Sequence, residues 1–298
     1  MIVRPRVPIP ALVPNAHPLV VAHRGASAAV AEHTLAAYIS AIESGADALE
    51  CDVRLTRDGY LVCVHDRTVD RTSDGRGVVS ELDLAGLEAM DFHSWHDAWP
   101  DSADRLLSDE PYLSGVAPDR VDPAGSVLTL ETLLGLVRDT GREVRLLIET
   151  KHPTRYSGLV ERELVRMLTR FGWAGAPGPD RTRGPAPGAR VTVMSFATTA
   201  LRRIRLLAPE VPTVLLMERQ LPGARLNVLP PGIGIIGPGL RVLRAEPELV
   251  SRAHLRGKQV YVWTVDEPAD LEYVLGLGVD AIITNRPADT ILAIGSPP

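Results

Sequence analysis

Two histidines, three carboxylates and a lysine recur through this chain at spacings that suit cation binding and proton transfer. Glu50 and Asp52 lie two apart in the run ALECDVRL, and Glu149 and Lys151 lie two apart in RLLIETK. Side chains alternate along a strand, so each pair shares one face while Leu49, Cys51, Val53 and Ile148 take the other. Three carboxylates aimed at one place repel one another, and burying such charges unpaired is costly. A divalent cation relieves the repulsion. All-oxygen ligation favours Mg²⁺, Ca²⁺ or Mn²⁺ over Zn²⁺, which prefers histidine and cysteine. The competing reading makes Glu50, Asp52 and Glu149 ordinary ion-pair partners of Arg24, Arg54 and Lys151. For any one carboxylate the two readings are even; for three on strand interiors the shared cation is the stronger.

His23 follows Leu-Val-Val-Ala and His65 follows YLVCV, so each ends an apolar run. Cleaving a phosphodiester needs one group to take a proton from the nucleophile and another to protonate the departing alkoxide. Two strand-terminal histidines beside an acidic cluster meet that need. Lys151 and Arg24 are either counter-ions of the cluster or contacts to phosphate oxygens, where they would stabilise transition-state charge. Trp263, in QVYVWTV, is either a wall of the substrate pocket or filler of the interior. His17, His93, His96 and His254 have no such neighbours and read as solvated or packing residues.

The elements that must position these residues follow from periodicity. Short apolar runs alternate with segments of helical period, the pattern of repeated βα units. Strands are expected at 19–24, 46–55, 60–65, 143–151, 190–195, 212–217, 233–236, 258–265 and 280–284. Helices are expected at 34–44, 129–140, 157–171, 198–208, 246–256 and 268–276. Thr34, Thr129 and Asp266 suit helix starts, and Gly45, Gly141, Gly172 and Gly257 suit helix stops. Residues 80–127 break the rhythm and read as an insertion on an early βα loop; residues 174–189, rich in Gly and Pro, read as a surface loop. A closed barrel and an open doubly wound sheet both fit the alternation. The charged residues gather at the C-terminal ends of the early strands, where barrel enzymes keep their chemistry, so a single (β/α)₈ barrel of TIM type over 19–298 is expected, behind a Pro-rich tail at 1–18. The 298 residues suit one such barrel.

Composition sets outer limits. Apolar residues make up 45% and charged residues 23%, enough apolar surface for a large core. The net charge of −5 argues against a nucleic-acid partner, which calls for a basic stripe, but not against a small phosphate ester. No apolar run approaches the roughly 20 residues of a bilayer span, so membrane insertion is not expected. Cys51 and Cys63 lie inside expected strands and read as buried thiols. Both features suit a cytoplasmic protein.

With these residues in place, the chain resembles the glycerophosphodiester phosphodiesterase family from about Leu19 to Pro287. The carrying motifs are HRG at His23 to Gly25, ECDV at Glu50 to Val53, HD at His65 and Asp66, IETK ending at Lys151, SF at Ser195 and Phe196, WTV at Trp263 to Val265, and the closing VDAIITNRP. The resemblance implies a (β/α)₈ barrel that hydrolyses glycerophosphodiesters to sn-glycerol 3-phosphate and an alcohol. It implies Ca²⁺ or Mg²⁺ on Glu50, Asp52 and Glu149, His23 and His65 as acid and base, and Lys151 and Arg24 on phosphate. Alternatives are a lysophospholipase D-type enzyme acting on lipid-sized diesters and a non-catalytic phosphate-ligand binding protein; retention of both histidines argues against the last. Two departures stand out. A Pro-Glu-Asn-Thr segment usual in the family reads Ala31-Glu32-His33-Thr34 here, and a usual closing aspartate is Asn285. His33 is expected on the loop leading into the Thr34 helix, as a substitute for the asparagine.

Overall fold

The computed structural model describes residues 17–94, 125–175, 189–218, 229 and 232–295. Nine strands are present among them: β1 Leu19–His23, β2 Ala48–Leu55, β3 Leu61–Cys63, β4 Arg145–Thr150, β5 Val191–Ser195, β6 Thr213–Met217, β7 Ile235–Pro238, β8 Gln259–Val262 and β9 Ala281–Thr284. Eight of them run parallel, and the pairings of β1 with both β2 and β9 close the sheet into a barrel. The expected barrel is thus formed. The expected strand at 60–65 is shorter, at three residues, and pairs antiparallel with β2 outside the closed circuit.

The helices are α1 Leu35–Glu43, α2 Leu84–Glu88, α3 Leu130–Asp139, α4 Leu159–Arg170, α5 Thr198–Leu207, α6 Leu240–Ala245, α7 Leu249–His254, α8 Pro268–Leu277 and α9 Pro287–Gly295. Thr34 and Thr129 cap α1 and α3, their hydroxyls accepting from the amides of Ala37 and Thr132. Asp266 is not a helix start. The cap position of α8 is Glu267, followed by Pro268, and the Asp266 carboxylate is occupied by the end of β9. The helix expected at 246–256 is shorter, α7 at Leu249–His254, and α2, α6 and α9 were not expected. The part of the expected insertion within the described residues packs β3 and α2 into a small apolar cluster of Val62, Val69, Leu87, Phe92 and Val127. Residues 95–124, with His96, most of the Pro-rich tail and most of the 174–189 loop lie outside the described residues.

Strand alternation divides the apolar residues as expected. Val21, Ala48, Leu147, Met194, Val214, Ile235, Tyr261 and Ile283 fill the barrel. Leu49, Cys51, Val53 and Ile148 face outward into the layer beneath the helices, with Leu133, Leu134 and Leu164. Fully burying one such aliphatic side chain contributes about 1.5–3 kcal/mol. Cys51 and Cys63 are buried free thiols.

The turn after β1 packs tightly against the backbone of α1. Arg24 and Gly25 both adopt left-handed backbone, φ 57° and 87°, and the Ala26 amide then donates to the Ala37 carbonyl at 2.9 Å. A β-carbon on Gly25 would lie 2.7 Å from the carbonyl carbon of Ala37. Gly25→Ala is expected to destabilise the protein by about 1–3 kcal/mol, read as a lower urea midpoint, because neither the backbone angle nor the α1 backbone can yield cheaply. An unchanged midpoint would show that the loop can lift off α1.

Candidate active site

Register places the acidic residues. His23 pairs with Glu50 across β1 and β2, and Asp52 pairs with Glu149 across β2 and β4. Glu50, Asp52 and Glu149 are all buried, and each offers a carboxylate oxygen within 4.8 Å of the others. These oxygens are hard donors converging from two neighbouring strands, and they fit a divalent cation of the Mg²⁺ or Ca²⁺ type.

Cationic side chains also enter the cluster. Lys151 Nζ lies 2.9 Å from Asp52 and 3.0 Å from Glu149, and Arg24 Nε lies 3.3 Å from Asp52. The ion pairs expected in the competing reading are therefore partly present, with one exception. Arg54 does not pair with the carboxylates; its guanidinium donates to the His65 carbonyl at 3.0 and 2.6 Å. Glu50 accepts from the Arg24 amide at 3.1 Å, and His23 Nε2 lies 4.0 Å from it.

The electrostatics of the trio are unequal. Burial works to raise the Asp52 carboxyl, but Lys151, His65, His33 and Arg24 outweigh it and hold Asp52 well below the ordinary aspartate range. Burial and the charges of Asp52 and Glu149 push Glu50 well up. Burial, with Asp52 beside it, pushes Glu149 up to about 7. Asp52 is thus met by the protein's own cations, whereas Glu50 and Glu149 keep a raised proton affinity that a further positive charge would offset.

Both histidines stand at the same mouth, each with its Nδ1 edge engaged. His23 Nδ1 is 2.7 Å from Asn285 Oδ1, and His65 Nδ1 is 2.7 Å from Asp66 Oδ1. Burial and the Arg24 charge lower the His23 imidazole to about 3 and the His65 imidazole in the same direction. Trp263 follows β8 directly, donates from Nε1 to the Gly237 carbonyl at 2.7 Å, and meets the half-exposed ring of Phe196 edge-on at 5.5 Å. Ser195, the other half of the SF pair, is structural: its hydroxyl donates to the Thr150 carbonyl and ties the end of β5 to the end of β4.

Several participants were not assigned roles from sequence. Asp66 accepts from Arg71 Nε at 2.7 Å, Arg71 donates two bonds to Glu32 at 2.8 and 2.7 Å, and Glu32 accepts from Arg24 at 3.2 Å. This chain of ion pairs runs from His65 back to the HRG loop. Arg71 lies 39 residues from Glu32 in a loop without periodicity, so spacing carried no signal for it. Of the histidines set aside, His17, His93 and His254 are exposed.

His33 lies deeper than a loop residue beside the site would. It is buried, its Nε2 is 2.9 Å from Asp52 Oδ2, and its Nδ1 is 2.8 Å from the Tyr38 hydroxyl. Its φ of 59° is left-handed, a region where asparagine and histidine are both enriched, so the backbone explains why one can stand for the other. Its Asp52 contact makes it a support of the acidic trio. His33→Asn is expected to keep kcat/KM within a few-fold, whereas a loss comparable with that of His23→Ala would make it a third proton-transfer group.

The unequal trio also predicts how cation binding depends on pH. Glu50 and Glu149 have raised values in the folded protein, so without a cation each ionises on folding only at a cost, and stability falls as pH rises from the ordinary glutamate range toward 7. A bound divalent cation removes that cost and displaces the protons. At a hundredfold excess over Kd it stabilises by about 2.7 kcal/mol. Mg²⁺ or Ca²⁺ should therefore raise the Tm more at pH 8 than at pH 5, with proton release seen by calorimetry. Equal shifts at both pH values would rule out this carboxylate set as the site.

Comparison with known proteins agrees with the geometry. The model of the glycerophosphoryl diester phosphodiesterase family matches residues 23–289. A probable glycerophosphodiester phosphodiesterase 1 of Mycobacterium tuberculosis is 46% identical over 276 residues, 92% of this chain and 91% of its own. A glycerophosphodiester phosphodiesterase of Bacillus subtilis is 32% identical, covering 90% and 84%. Among solved structures, an Oleispira antarctica phosphodiesterase in complex with the product sn-glycerol-3-phosphate superposes with TM-score 0.73 at 21% identity, over 94% of this chain and 97% of that one. A Silicibacter pomeroyi structure described as a glycerophosphoryl diester phosphodiesterase gives TM-score 0.70 at 25% identity, over 93% of each. The matched span begins at His23 and takes in the whole acidic trio and both histidines: the chain belongs to the glycerophosphoryl diester phosphodiesterase family.

Proposed function

We propose that this phosphodiesterase hydrolyses glycerophosphodiesters to sn-glycerol 3-phosphate and an alcohol, with His23 and His65 moving the protons. The observation that carries this reading is the convergence of two buried-edge histidines and a carboxylate trio on one barrel mouth in a member of this family. The sn-glycerol-3-phosphate held by the Oleispira antarctica enzyme supports the same product here.

Glu50, Asp52 and Glu149 would hold a divalent cation, Mg²⁺ or Ca²⁺ with Mn²⁺ also accommodated, which supplies positive charge to the non-bridging phosphate oxygens. Lys151 and Arg24 share their charge between the trio and those oxygens. One imidazole takes the proton from the attacking hydroxyl as the new P–O bond forms; water gives glycerol 3-phosphate directly, whereas the glycerol 2-hydroxyl gives a cyclic phosphate that a water then opens. The other gives a proton to the alkoxide as the old P–O bond breaks. Trp263, with Phe196 beside it, forms the apolar wall against which the substrate's carbon skeleton lies.

The reading takes residues 19–298 as one catalytic unit behind the 1–18 tail, with the 80–127 region limiting substrate size. The partner is a small phosphodiester and not a nucleic acid. No helix among the described residues is long and apolar enough to cross a membrane. Two buried free thiols support a reducing cytoplasm as the compartment.

A panel of glycerophosphodiesters and lysolipids, with coupled detection of glycerol 3-phosphate and with or without each cation, tests the activity. Chelation should abolish turnover. His23→Ala and His65→Ala should each lower kcat by roughly 10²- to 10⁴-fold with the circular dichroism spectrum intact. Near-normal kcat in either folded variant on an unactivated alkyl diester would remove that histidine from the mechanism.

A further inference from the structure

The geometry points to Asn285, locked by Asp266, as the residue that fixes the tautomer and aim of His23; we infer this as a positioning role, and it rests on the two-histidine reading above. Asp266 lies past the end of β8 and Asn285 past the end of β9, and barrel closure brings β9 against β1, where His23 sits. Asp266 Oδ1 accepts from the Asn285 amide at 2.7 Å and from the Thr284 hydroxyl at 3.0 Å. Its Oδ2 accepts from Asn285 Nδ2 at 2.7 Å.

A carboxylate only accepts, so the side-chain nitrogen of Asn285 must face Asp266 and Oδ1 must face away. That Oδ1 meets His23 Nδ1 at 2.7 Å, with the Ser27 hydroxyl at 2.8 Å on the same atom and at 2.7 Å from the His23 carbonyl. An amide oxygen has no proton to give. His23 Nδ1 therefore carries the imidazole proton, and Nε2, the atom nearest Glu50, presents a lone pair to the site.

Without Asp266 the amide could turn over and offer N–H to Nδ1, moving the imidazole proton to Nε2 and blocking proton uptake there. The two histidines are thus backed differently. His65 has a carboxylate, Asp66, behind it, whereas His23 has an uncharged acceptor whose direction is set by a carboxylate one bond further out.

Nitrogen-15 NMR of the cation-loaded, histidine-labelled full chain reads the tautomer directly, with His23→Gln identifying the His23 signals. The wild type should show Nδ1 protonated and Nε2 bare. Asn285→Ala and Asp266→Asn should give mixed tautomers and lower kcat roughly 10- to 10³-fold, a smaller loss than a fully wrong tautomer causes in a serine protease triad. KM should stay within about threefold, because the phosphate contacts are untouched. Asn285→Asp should restore the Nδ1–H tautomer, since the extra proton bridges the two carboxylates and leaves an acceptor facing His23. A wild-type spectrum with the proton on Nε2 would overturn the inference, as would an unchanged tautomer in Asp266→Asn or Asn285→Ala. If Asn285→Ala fails to fold, the wild-type and Asp266→Asn spectra decide. Wild-type kcat in His23→Ala would instead sink the two-histidine reading, and the spectra would still judge the clamp.

Discussion

The placement of like charges inside the barrel mouth is the constraint on which the rest of this structure depends. Three buried carboxylates stand within 4.8 Å of one another. Such a cluster survives folding only if each charge is met or neutralised. Asp52 is the hub, reached by Arg24 and His33 from the loop after β1 and by Lys151 from the end of β4. Glu50 and Glu149 are left with raised proton affinity. That imbalance is a poor way to gain stability, and it fits a site that leaves the free energy of charge neutralisation to a bound cation.

The ion pairs around the cluster hold geometry more than they hold the fold. Buried pairs often contribute little net stability once their desolvation is counted. Here the line His65, Asp66, Arg71, Glu32, Arg24 ties the loop after β3 to the loop after β1. Arg71 suits this task because its planar guanidinium donates to two carboxylates at once. Arg54 fixes the same loop from below by holding the His65 carbonyl. Short charge-assisted bonds of this kind restrict how far the His65 imidazole can swing.

Packing and chemistry occupy different parts of the molecule. The helix-facing layer and the barrel filling are aliphatic almost throughout, and the acidic trio lies within β2 and β4 at the level where β1 ends. The exceptions sit at the boundary. Arg24 and His33 both adopt left-handed backbone, and Tyr38 is fully buried with its hydroxyl donating to the Glu50 carbonyl. Of the three non-glycine residues with positive φ among the described residues, two, Arg24 and His33, touch the acidic trio, where position matters more than local preference.

Alternation and strand-end placement were enough to read the barrel, the shared face of Glu50 and Asp52, the shared face of Glu149 and Lys151, and the two terminal histidines. These are local signals: a two-residue period and an apolar run followed by a charge are visible within ten residues. Short helices and caps were less legible, as Asp266 shows; an aspartate before a Glu-Pro pair suits a helix start, yet its carboxylate is claimed by residues 18 and 19 positions away. The support of each histidine was not legible at all. Asn285 is 262 residues from His23, and Arg71 and Glu32 belong to different loops. Such contacts exist only because closing β9 onto β1 and folding β3 back onto β2 bring distant loops to one mouth. Sequence thus determined which side chains share a face, whereas tertiary closure decided which nitrogen of His23 meets Asn285 and which carboxylate the cations of the protein reach.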